Sequence, residues 1–72
     1  MNGISEFIKD KRRELGITQK ELADKAGVGL RFLRECEQGK ITLRMDRVNR
    51  VLAMFGHELR PQKIIINKNI EQ

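Results

Sequence analysis

Seventy-two residues with one cysteine, one histidine, one proline and no tryptophan or tyrosine leave little from which to build a catalytic or cross-linked protein. A lone Cys36 cannot close an internal disulfide, so nothing points to an oxidising compartment; on the inward side of a helix it reads as a small buried hydrophobe. His57 has no cluster of cysteines or carboxylates at metal-ligand spacing, so neither a metal nor a cofactor is expected. No nucleophile has a histidine partner in reach, Asp46 and Glu58 are unaccompanied carboxylates, and the six glycines form no phosphate-cradling loop of the P-loop kind. A chain this short also lacks the walls that would keep water out of a site, and enzyme function is excluded. No apolar run approaches the ~20 residues that cross a bilayer, and the N-terminus has no apolar stretch of a signal peptide. The expectation is a cytoplasmic protein without a membrane partner.

Positive charge, by contrast, is in surplus. Fifteen Lys and Arg face ten Asp and Glu, a formal charge of +5, and between Gly27 and Arg60 there are seven basic residues to four acidic ones. Such a balance attracts polyanions, of which nucleic acid is the commonest in a cell, although a generic basic surface has the same composition. The length allows one domain whose single core is marginal, so dimerisation would add to stability.

The most organised stretch is TQKELADKAGVGLRFLRECEQG, Thr18 to Gly39. Thr18 is an N-cap because its hydroxyl can accept from an otherwise unpartnered backbone N–H, with Gln19 and Glu21 in the first turn. Leu22, Ala23 and Ala26 make a narrow apolar strip that stops at Gly27. Gly29 opens a second helix, Leu30 to Gln38, which Gly39 closes, so the linker is only Gly27, Val28 and Gly29, the length a helix-turn-helix allows. On the second helix Leu33 and Cys36 point inward, and Leu30, Arg31, Arg34 and Glu35 face away from the core. Arg31 and Arg34 are surface neighbours, each able to grip the two acceptors on the major-groove edge of a guanine.

In G-I-T-Q-K-E-L-A-D-K-A-G-V at Gly16 to Val28 and E-Q-G-K at Glu37 to Lys40, the chain resembles the XRE/Cro family of helix-turn-helix DNA-binding domains, to which the lambda-type phage repressors also belong. The likeness runs from Ile4 to about Phe55. It implies an all-α, four-helix, lambda-repressor-like fold. It also implies backbone-phosphate contacts at Gln19 and Gln38, base-reading positions at Leu30, Arg31 and Glu35, and an internal ion pair between Arg12 and Glu37. Phe32 stands where many relatives have a small polar residue, which leaves open whether that position reads DNA or packs.

The flanking segments complete the plan. Ile4, Phe7, Ile8, Lys11 and Leu15 keep a 3.6-residue rhythm over a first helix that Gly16 stops. After Gly39, Lys40 is placed to meet a phosphate at the groove edge or to lie solvated in a loop. Thr42 is the N-cap expected for a fourth helix running to Phe55, closed over the others by Val48, Val51, Leu52 and Phe55. Arg44, nearest the motif, is expected to reach a phosphate, while Arg47 and Arg50 read as surface charge. With Thr18 at its helix start, the expected phosphate set is Thr18, Gln19, Gln38, Lys40 and Arg44. Met45 and Met54 lie off the apolar stripe and are available for a subunit contact.

Residues 1–56 therefore read as the DNA-binding domain and residues 57–72 as an extension. In HELRPQKIIIN the helical period is lost and Ile64, Ile65 and Ile66 favour extended structure. One strand on a helical bundle has nothing in its own domain to pair with, so pairing with a second copy is expected, giving a homodimer held by His57, Leu59, Ile64, Ile65 and Ile66. Pro61 cannot donate to a ladder and marks an interruption. A helical domain followed by F-G-H-E-L-R and a strand resembles the HipB-type antitoxins, which implies a HipA-like kinase toxin as a further partner. The functions expected are a dimeric repressor on a palindromic double-stranded operator, as an antitoxin or a standalone regulator of the XRE family, and a module whose main task is to neutralise a partner enzyme.

Overall fold

A computed structural model describes residues 3–40 and 44–64, which form four helices and, among the described residues, no strand. These are α1 (Gly3–Leu15), α2 (Gln19–Ala26), α3 (Leu30–Glu37) and α4 (Met45–Ala53). The α3 helix packs on α1 and α2, and α2 also packs on α4. One face from each meets in a core of Ile8, Leu22, Ala23, Leu33, Cys36, Val48, Val51 and Leu52, with Phe7, Phe32, Phe55 and Leu59 half-buried around it. Burial pushes the Cys36 thiol up to about 11, so it is an inert packing group near neutral pH.

Each helix ends in the same way. At Gly16, Gly27, Gly39 and Gly56 the backbone enters the left-handed region, with φ between 68° and 80°. The residue after each glycine donates its N–H back to a carbonyl five residues earlier: Ile17 to Arg12, Val28 to Ala23, Lys40 to Glu35 and His57 to Leu52. This is the Schellman closure, which satisfies carbonyls that the helix itself leaves unpaired. The third helix ends at Glu37, with Gln38 as its C-cap, and the fourth ends at Ala53 with a closing turn that reaches Gly56.

At its start α2 carries a complete capping box. The Glu21 N–H donates to Thr18 Oγ1 at 3.0 Å, and the Thr18 N–H donates to Glu21 Oε1 at 2.8 Å. Thr18→Ala should cost about 1 kcal/mol of unfolding free energy, read from urea denaturation. Donation from the Thr18 backbone N–H first, and then from the Thr18 side chain, holds the Glu21 carboxyl below its ordinary range. Because the folded value is depressed, this carboxylate stabilises fully above the unfolded pKa of about 4.3 and the contribution is lost as pH falls through the folded value. Any stability gap between the parent and Glu21→Gln at pH 7 should therefore narrow as the pH falls below about 4.3.

Several expectations are corrected. Ile4 and Leu15 are 38% and 56% exposed, while Ser5 is fully buried. Periodicity places a residue on a strip; which neighbouring helix covers that part of the strip decides burial. Leu30 does not face away from the core but packs against it, half-buried, as does Phe32. The fourth helix begins at Met45, not at Thr42, which lies outside the described residues; extended Arg44 precedes it without a side-chain cap. Asp46 stands in the first turn of α4, paired with Arg44 at 2.9 Å, and Glu58 pairs with Arg60 at 2.5 Å.

The segment after Gly56 returns to its own domain at His57 and Leu59. Leu59 is half-buried against the core and donates its N–H to Asn49 Oδ1 at 2.7 Å, and the His57 ring lies 4.7 Å from that of Phe7. Ile64 is 73% exposed. Ile65 and Ile66 lie outside the described residues.

Candidate nucleic-acid interface

The helix-turn-helix is held by polar contacts at both of its ends. Glu37, only 3% exposed at the inner end of α3, receives Arg12 in a fork: Nε donates to Oε2 at 2.7 Å and Nη2 to Oε1 at 3.1 Å. The third donor of that guanidinium, Nη1, reaches the Ile17 carbonyl at 3.0 Å. Gln19 Nε2 donates to Glu37 Oε1 at 3.1 Å. One carboxylate thus ties the end of α1, the start of α2 and the end of α3 together, and its hydrogen bond holds the Arg12 guanidinium above its ordinary value despite burial. At the other end of the motif, Arg50 Nη1 on α4 donates to the Gly27 carbonyl at 3.3 Å, across the turn.

These supports leave one face of α3 open. The Arg31 side chain is 93% exposed, and Arg34 and Gln38 are exposed as well. At spacings of three and four residues they form one stripe along the helix, with exposed Lys40 just beyond it. Glu35, 40% exposed at the side chain, lies beside the stripe with its Oε2 3.8 Å from Arg31 Nε. Among the described residues no carboxylate lies within ion-pair reach of Arg34. Arg44 and Arg47 are exposed at the start of α4, Arg44 engaged with Asp46.

The arrangement can offer planar guanidinium forks and amide donors to a polyanion while the core behind stays closed. Of the expected site residues, Arg31, Arg34, Glu35, Gln38 and Lys40 share this end of the molecule, and Leu30 is half-withdrawn. Thr18 uses its hydroxyl in the capping box, and Gln19 donates its amide to Glu37. Reading the sequence missed the Gln19–Glu37 bond, the Arg50–Gly27 contact and the Asn49–Leu59 bond. Each joins residues at least ten apart, and only the polar side chain on an otherwise packed helix hinted at them. His57 and Leu59 are turned to their own domain's aromatic and aliphatic groups. No helix among the described residues is long and apolar enough to cross a membrane.

Comparison with known proteins agrees with this geometry. A helix-turn-helix family model matches residues 8–60. The chain is 42% identical over 53 residues to y4mF, an HTH-type transcriptional regulator of Sinorhizobium fredii, covering 74% of this chain and 70% of that one. It is 33% identical over 52 residues to an HTH-type transcriptional regulator of Methanothermobacter thermautotrophicus, covering 72% of this chain and 75% of the other. No solved structure matches it at a comparable level. A four-helix body, a Schellman turn between α2 and α3, an arginine-bearing outer face and these matches together place the chain in the XRE-type helix-turn-helix family of DNA-binding regulators.

Proposed function

We propose that the protein is a sequence-specific transcriptional repressor, cytoplasmic and dimeric, that lays α3 of each copy in successive major grooves of a palindromic operator. The observation that carries this is the outer face of α3, where Arg31 and Arg34 stand clear of the core on a helix fixed at both ends. Arg31, Arg34 and Glu35, with Leu30 at the helix start, form the base-facing group. Gln38, Lys40, Arg44 and the α2 start at Thr18 and Gln19 face the phosphates. Two-fold symmetry then sets the recognition helices about 34–36 Å apart.

Two variants test it. Arg31→Ala should cost about 1–3 kcal/mol on a selected operator and relax preference at one base pair. Lys40→Ala should weaken every duplex alike and lower the salt slope by about one. Fluorescence anisotropy on selected and random duplexes reads both. Equal affinity of the parent for the two duplexes, or identical loss profiles for the two variants, would refute base reading.

The extension favours a further role as the antitoxin of a HipBA-like pair. Met45 is 67% and Met54 38% exposed. An open apolar groove of about 390 Å³ lies between Met45, Leu59, Arg60 and Pro61. In this reading residues 57–72 carry the dimer contact through Ile64, Ile65 and Ile66, and the repressor also docks a HipA-like kinase toxin. A chain ending at Pro61 keeps Leu59 in its core; sedimentation should show it monomeric where the full chain is dimeric, and an unchanged dimer would remove that role from the isoleucines. A kinase-like reading frame beside this gene is expected for the antitoxin, and an unrelated neighbour would leave a standalone regulator.

A further inference from the structure

We propose that Glu35 is a positioning residue for Arg31, so that the two side chains read one guanine as a unit and Glu35 makes no base contact of its own. This rests on the reading of α3 as the base-facing helix. Arg31 is the more exposed of the pair, 93% against 40%, and among the described residues Glu35 is the one carboxylate that constrains it, an ion pair at 3.8 Å across one helical turn. A long side chain free in solvent must give up rotamers before it can read a base. Tethering reduces what is left to lose.

The atom used in the tether matters. Glu35 approaches Arg31 at Nε, which leaves the terminal Nη1 and Nη2 donors free. Those two parallel N–H groups are the fork that matches guanine N7 and O6. A carboxylate itself has only acceptors, so it is repelled by phosphates and by the acceptor-rich edges of guanine and thymine. That penalty falls on every sequence, whereas the orienting benefit appears only where a guanine meets Arg31. A side chain that costs affinity everywhere and returns it at one base raises discrimination. Arg34 lacks such a partner among the described residues, which provides an internal contrast on the same helix face.

The test uses the full chain and four proteins: the parent, Glu35→Gln, Arg31→Ala and the double variant. Each is titrated by anisotropy against an operator selected from a randomised duplex library, against single-base-pair changes of it, and against random duplex. Thermal melts of all four check that folding is unaltered. Glu35→Gln should lower preference at the Arg31 guanine about 2- to 5-fold, the range of an exposed ion pair, and should bind random duplex at least as tightly as the parent. The double variant should be no less specific at that base pair than Arg31→Ala alone. If Glu35→Gln loses preference at a different base pair, additively with Arg31→Ala, Glu35 reads its own base and the proposal is overturned. Unchanged preference in Glu35→Gln overturns it too. A parent that discriminates no duplex instead sinks the base-facing reading of α3, an outcome distinct from both.

Discussion

Glu37→Ala is expected to lower the unfolding free energy by about 3–5 kcal/mol, because it strands the Arg12 guanidinium in a site where that side chain is only 15% exposed. The Ile17 carbonyl remains as one acceptor, but both oxygens of the fork disappear and Gln19 loses its partner. A 72-residue domain has on the order of 4–11 kcal/mol in all, at roughly 0.05–0.15 kcal/mol per residue. The variant should therefore be partly unfolded at 37 °C, and its urea midpoint should fall sharply. Arg12→Met combined with Glu37→Leu should recover most of the loss, since replacing a buried pair by apolar groups removes the desolvation penalty along with the attraction. A Glu37→Ala midpoint within error of the parent would show that the fork contributes nothing. Because this carboxylate joins α1, α2 and α3, operator affinity should also drop where the variant is still folded, with the double variant recovering fold before it recovers affinity.

Leu33→Ala is expected to cost about 2–5 kcal/mol, combining lost transfer energy with a cavity where α1, α2 and α3 converge. Leu33 is fully buried. At about 4–8 °C per kcal/mol for a domain this size, the melting temperature should fall by roughly 10 °C or more. Leu15→Ala is the matched control: with Leu15 56% exposed, its effect should stay within about 0.5 kcal/mol. Equal losses for the two would mean that the α1 end is covered in solution, by a second copy for instance.

That pair of leucines also shows where reading the sequence reaches its limit. Both fall on an apolar strip at helical spacing, and spacing is a property of one helix, while burial depends on the neighbour. The same limit explains Leu30 and Phe32. A helical wheel turns Leu30 outward, yet it is drawn in against the core at the start of α3, and Phe32, whose role the sequence left open, packs. It explains Gln19 as well, since a surface glutamine at a helix start gains an internal partner only once α3 delivers Glu37 beside it.

What the chain's order of residues settled alone was local: helix ends at the glycines, the start of α2 and the turn between α2 and α3. Four glycines that can take positive φ where other residues are strained set four helix ends. A threonine three residues before a glutamate set the start of α2. The three-residue turn and the paired arginines of α3 follow from spacing. The tertiary structure decided which of those helical faces are covered, that Gln19 joins Arg12 on the Glu37 carboxylate, and that Leu59 returns to its own core through Asn49. Short-range hydrogen bonds are fixed by neighbours in sequence, whereas burial and long-range pairing exist only after distant segments have been brought within contact distance.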